Sequence, residues 1–147
     1  MRGEFDAVIA VATAKGIGGC LESCPADDLR ALADAARYTK RVELAETCLL
    51  ALRKRFADSA QGAGAAFLLG RTLESRGRNA KAEPWYERYL RESPEGEFAS
   101  DALAGRMRVV AALRGKAAAR GLAIEYLRRY PDGVYASSAQ RIAADPN

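Results

Sequence analysis

Four sets of residues in this 147-residue chain have the types and spacing that chemistry needs, and each also has a plainer use. Gly16, Gly18 and Gly19 would suit a phosphate cradle, but the G-x-G-x-x-G spacing is absent, no strand pattern precedes them and no Gly-Lys-Ser/Thr follows. A linker that ends one helix is the better reading. Cys20 and Cys24 stand four apart, as zinc ligands often do, yet a zinc site needs two more ligands and the chain offers only Cys48 and no histidine. The pair is expected to be small buried apolar side chains, with a disulfide as the other use. Trp85, Tyr86, Tyr89 and Tyr126 would suit a stacking platform for bases or sugars, or a helical core. Glu83 with Glu87, and Asp27 with Asp28, offer paired carboxylates, which on helices are ordinarily a solvated face. Without histidine the commonest general base and the commonest metal ligand are missing, and no nucleophile with a base and an orienting partner assembles. No enzyme, cofactor or metal is expected.

The elements that must position these residues follow from composition. With 49% hydrophobic and 29% charged residues, the chain is too apolar and too balanced in charge for disorder, and its alanine, leucine, arginine and glutamate favour helix. No apolar run approaches the ~20 residues of a bilayer span, and Phe5 to Ala14 is too short and too acidic at its start for a signal peptide. The net charge of +4 falls on the last third: residues 100–147 carry eight basic and four acidic groups. That mild excess can steer an acidic partner, but nucleic-acid binders show a denser basic patch with aromatics interleaved.

Self-comparison is more informative. Phe56-Ala57-Asp58-Ser59, Ser93-Pro94-Glu95-Gly96 and Tyr130-Pro131-Asp132-Gly133 repeat an acidic turn at a spacing of 37 residues. The same offset aligns Ala45 with Ala82 and Ala119, Cys48 with Trp85 and Leu122, and Leu52 with Tyr89 and Tyr126. Small positions stay small and apolar positions stay apolar, so Trp85 reads as core. Within one period, Ala63, Ala66, Phe67, Leu69 and Leu73 form one helical stripe and Ala82, Trp85, Tyr86, Tyr89 and Leu90 a second. Gly77-Arg78-Asn79 separates them, glycine suiting the position past a helix end and asparagine the next cap. Pro94 cannot continue the second helix. The fold class is all-α, with antiparallel helix pairs, breaks near Lys40, Arg78 and Arg114, and no sheet.

These two-helix units resemble the tetratricopeptide repeat (TPR). Ala66, Leu69, Gly70, Leu73, Ala82, Tyr86 and Pro94 occupy the family's seven marked places, five of them matching in type. The first copy is looser, and the third loses its Leu-Gly pair at Arg106-Met107. The resemblance implies an α-solenoid of stacked antiparallel pairs, about three units of 37 residues at 26–59, 63–96 and 100–133, with a closing helix over 134–147 stopped by Asp145-Pro146. It also implies a concave groove lined by the first helix of each pair. Carried onto this chain, the groove candidates are Arg30, Asp34, Arg37, Tyr38, Phe67, Arg71, Glu74 and Arg108. Arg71 and Arg108 hold equivalent places and are expected to share one groove with Arg37 and Phe67. A guanidinium fork suits carboxylates, so the groove would take an acidic protein or peptide segment. The competing use is pairing with Asp34, Glu74 and Asp101 inside the chain, and the sequence favours that pairing. The asparagines of the carboxylate-clamp TPRs are missing.

Residues 1–25 read as the second half of a preceding repeat or an N-terminal cap. Phe5, Val8, Ile9 and Ala12 form a stripe whose partner helix is expected to precede Met1, leaving that face exposed or covered by another chain, as in a fragment of a longer protein. The repeat is three residues longer than the usual 34, in its turn, a style similar to TPRs of bacterial cell-envelope proteins and of FecR-like anti-sigma regulators. That style points to the periplasm or envelope, whereas an odd number of cysteines points to a reducing compartment. The expected function is a non-enzymatic interaction scaffold within a larger envelope or regulatory protein. No small-molecule substrate is implied. The alternatives are an oligomerising spacer that self-associates through its end helices, or a binder of anionic surfaces or nucleic acid through the basic last third.

Overall fold

The apolar stripes take the form of helices in the structure, a computed structural model that describes residues 2–144. In chain order these are α1 (Arg2–Lys15), α2 (Ile17–Ser23), α3 (Ala26–Tyr38), α4 (Val42–Phe56), α5 (Ala60–Ser75), α6 (Asn79–Glu92), α7 (Ala99–Arg114), α8 (Lys116–Arg129) and α9 (Ala136–Ala144). Among the described residues there is no strand. The breaks fall at Thr39–Arg41, at 76–78 and at Gly115, as the periodicity requires. The stop expected at Asp145-Pro146 lies outside the described residues. The helices form two compact units, Met1–Thr72 and Leu73–Asn147.

In the first unit α3 packs on α4, and α1 packs on both α2 and α3. Leu29, Leu32, Ala33 and Ala36 of α3, and Ala45, Cys48, Leu49 and Leu52 of α4, recur at three- and four-residue steps and are buried. Alanine at the matched positions lets the helix backbones approach closely. The α3–α4 turn closes with the Arg41 N–H donating to the Ala36 carbonyl at 2.7 Å, and the residue inside that turn, Lys40, has φ +63°. One period later the Arg78 N–H donates to the Leu73 carbonyl at 2.9 Å, and the residue inside is Gly77 at φ +74°. Both are the six-to-one closure of a helix C-terminus, which places its penultimate residue in left-handed backbone that glycine adopts without cost. Arg78, with no side-chain cap bond, precedes α6, so Asn79 is its first helical residue rather than the expected cap.

The second unit stacks α6 on α7, α7 on α8 and α8 on α9. Leu103, Met107 and Val110 of α7, Ala119, Ala123 and Tyr126 of α8, and Ala139 and Ile142 of α9 form one core cluster. A tyrosine latch recurs in this unit. The Tyr89 hydroxyl accepts the Phe98 N–H at 2.9 Å, and the Tyr126 hydroxyl accepts the Tyr135 N–H at 3.1 Å, each tying a helix to the turn that follows it. Gly96 and Gly133 sit against those two hydroxyls, where a methyl group would overlap the oxygen.

Three expectations need correction. Cys20 and Cys24 are joined in a disulfide instead of being buried as apolar side chains: Cys20 lies on the short surface helix α2, and Cys24 is the residue that ends it, its N–H donating to the Cys20 carbonyl. Trp85 is half-buried, not core, although its equivalent Cys48 is fully buried. The α1 stripe is corrected in part: Ile9 is buried and α1 packs on α3 within the chain, Phe5 and Ala12 are half-buried, and Val8 is exposed as expected.

Candidate functional site

On α3, three-to-four-residue spacing sets Arg30, Asp34 and Arg37 on one face. The Arg30 Nε donates to both Asp34 carboxylate oxygens at 3.1 Å, and Arg37 Nη1 donates to Asp34 Oδ1 at 3.2 Å. One carboxylate is therefore shared by two guanidinium groups. A third cation adds to them: Arg71 of α5 is exposed, has no hydrogen bond or ion pair among the described residues, and repels Arg37 electrostatically. Burial pushes the Arg37 guanidinium below its ordinary range; Asp34 opposes this, and Arg71 and Arg30 add to it. All four side chains belong to the first unit.

Beside this cluster an open cleft of about 630 Å³ is lined by Phe5, Asp34, Arg37, Tyr38 and Lys40. Tyr38 is 50% exposed, and its ring stands 4.5 Å from that of Phe5, centroid to centroid. Phe67 is 2% exposed, so this candidate is a packing residue of α5 with no surface to offer a docked chain.

The remaining two candidates lie in the second unit. Glu74 accepts Arg108 Nε at 2.9 Å and Nη2 at 3.0 Å, and also the Tyr86 hydroxyl at 2.6 Å. The Arg108 guanidinium also lies 5.2 Å from the centre of the Tyr135 ring. Hydrogen bonding to Glu74 holds Arg108 above the ordinary guanidinium range despite its partial burial. This is a fully engaged bidentate pair with a neutral donor buttressing the carboxylate.

The two units thus use equivalent positions differently. Glu74 is one 37-residue period after Arg37, and Arg108 one period after Arg71. Where the second unit pairs Glu74 with Arg108, the first has arginines at both places, Arg37 and Arg71, whose charges repel. Phe5, Lys40 and Tyr135 are neighbours of the candidates that the sequence does not assign to the groove: its pattern puts Phe5 in the α1 stripe and Lys40 at a helix break. For Lys40 a signal existed, since the period aligns it with Gly77.

Elsewhere the chemistry is quiet. Cys48 is buried in α4, and burial pushes its thiol up to about 11, away from thiolate nucleophilicity. Among the described residues no group of histidine, cysteine, aspartate or glutamate side chains is placed to hold a metal ion, and no helix is long and apolar enough to cross a membrane.

A family model, the tetratricopeptide repeat, matches residues 30–97, a span from α3 to the turn after α6. Those residues are similar to the tetratricopeptide repeat. No curated protein matched the chain. Seven of the eight groove candidates lie within the matched residues; Arg108 lies beyond them.

Proposed function

We propose that the chain is a non-enzymatic protein–protein interaction module whose first unit docks an acidic segment of a partner across Arg37 and Arg71. The observation that carries this reading is the like-charge pair itself. The repeat geometry that gives Arg108 a carboxylate gives Arg71 another arginine, and Asp34 is already shared by Arg30 and Arg37. A carboxylate from a partner would supply Arg37 and Arg71 with the charge that Glu74 supplies to Arg108 one repeat later, with the planar fork of each guanidinium to receive it. TPR regions are interaction scaffolds, which agrees with this use.

We further place the module in a larger bacterial envelope or regulatory protein, on the style of its longer inter-repeat turn. The Cys20–Cys24 disulfide supports an oxidising compartment such as the periplasm. Alkylation of the chain taken from cells without reductant, then unfolded, would label Cys48 alone if that holds.

Selection from a displayed library of short random peptides tests the docking reading, and enrichment of clustered Asp and Glu is expected. Arg71→Ala should weaken the selected peptides about tenfold, flatten their salt dependence and leave the melting temperature unchanged. Arg37→Glu, which rebuilds the second unit's pairing in the first, should abolish the acidic preference without lowering the melting temperature. Arg108→Ala should lower stability and leave binding alone. Peptides that bind Arg37→Glu as they bind the parent chain would refute the assignment.

A further inference from the structure

The segment proposed above needs a path beyond its first carboxylate, and the fold marks one. Lys40 has φ +63° in a turn whose counterpart one period later is Gly77 at φ +74°, closed by the equivalent hydrogen bond. Left-handed backbone is costly for any residue with a Cβ, so a lysine where the next repeat has Gly77 points to a use for its side chain. Lys40 lines the 630 Å³ cleft with Arg37, Tyr38, Phe5 and Asp34. Its ammonium has no hydrogen bond or ion pair among the described residues, and Arg37 commits only Nη1, leaving its other donors unused. Asp34, the one carboxylate of the cleft, is occupied by Arg30 and Arg37. The half-exposed Tyr38 ring on Phe5 supplies an apolar shelf beside these cations.

We infer that this cleft is the second contact of the acidic segment: Lys40 takes a further carboxylate, and the side chain next to it lies on the Phe5–Tyr38 pair. The inference rests on the docking reading above. The occupant is an extended acidic peptide with an aromatic or large apolar residue among its carboxylates. An ion alone would leave the aromatic shelf uncovered, and an apolar helix would bury Lys40 and Arg37 without partners.

The test uses the full chain and a fluorescein-labelled peptide, Gly-Glu-Glu-Phe-Glu-Glu-Gly, with its glutamine-for-glutamate and alanine-for-phenylalanine counterparts, read by fluorescence anisotropy. Lys40→Gly is expected to weaken the glutamate peptide about fivefold while raising the melting temperature by about 2–4 °C, since glycine relieves the turn. Lys40→Gln keeps the strained backbone, so it should weaken binding equally and leave the melting temperature in place. Tyr38→Ala should erase the preference for phenylalanine over alanine in the peptide. If both Lys40 variants bind the glutamate peptide as the parent does while Arg71→Ala loses it, the segment docks without the cleft; the inference falls and the docking reading stands. If the parent chain does not prefer the glutamate peptide to the glutamine one, both fall together.

Discussion

Gly105 lies in the middle of α7, where alanine would ordinarily be the better helix former by about 1 kcal/mol. Gly105→Ala should nevertheless destabilise the protein. A Cβ at this position would stand 2.5 Å from Cζ of Tyr86 and 2.8 Å from both Cε atoms. Carbon atoms in contact prefer about 3.5–4.0 Å, so the ring has to retreat by about 1 Å. Tyr86 is fully buried, and its hydroxyl is held by Glu74 at 2.6 Å, so the retreat strains packing and the bond together. Overpacking costs about 1–3 kcal/mol and a hydrogen bond to a charged group is worth about 1.5–3 kcal/mol. After the gain in propensity, the net loss comes to about 2–4 kcal/mol, or about 1–2 M in the urea midpoint. Gly121 is the internal control: it lies within α8 with nothing within 4 Å of the place a methyl group would take, and Gly121→Ala should gain about 0.5–1 kcal/mol. Urea titration followed by circular dichroism compares the two. In a Tyr86→Leu background, Gly105→Ala should lose most of its effect, a coupling that a double-mutant cycle measures directly. Equal midpoints for Gly105→Ala and Gly121→Ala would refute the reasoning.

Two further outcomes concern the latch and the buried thiol. Tyr126→Phe removes the acceptor of the Tyr135 N–H and should cost about 1–2 kcal/mol in the same titration, with a similar loss for Tyr89→Phe at Phe98. For Cys48 the fold favours the neutral thiol, with its value raised from 9.0 to about 11. The stability this contributes is fully present below pH 9 and is lost as pH rises through 11, by about 2–3 kcal/mol, and Cys48→Ala should flatten that decline in urea midpoints taken across the window.

Much of the architecture was legible because each turn repeats a physical requirement. Tyr89 with Gly96, and Tyr126 with Gly133, recur at the 37-residue offset because a hydroxyl that receives the N–H after the turn leaves room only for glycine beneath it. The depth of a side chain was less legible. Matching Trp85 to Cys48 and Leu122 identified the face of the helix it occupies but not how far neighbours cover that face: Trp85 and Leu122 are half-buried while Cys48 is fully covered. For Cys20 and Cys24, apolar character argued for burial, yet burial depends on what surrounds a seven-residue surface helix, and no periodicity within α2 carries that information.

The groove candidates show the same limit more sharply. Aligning Arg71 with Arg108 implied one role for both, because periodicity equates positions and not partners. The partner of Arg108 lies 34 residues before it, at Glu74. Moved back by one period, that position is Arg37, so the two arginines meet opposite charges in their neighbours. In the second unit the pairing is satisfied internally and reinforced by Tyr86 and Tyr135. In the first unit Asp34 is divided between two guanidiniums, and Arg71 has no carboxylate among the described residues. A single charge reversal at matched repeat positions thus replaces a satisfied ion pair with two like charges. The two units diverge at that level, and sequence separation between partners, rather than the repeat period alone, is where the difference can be read.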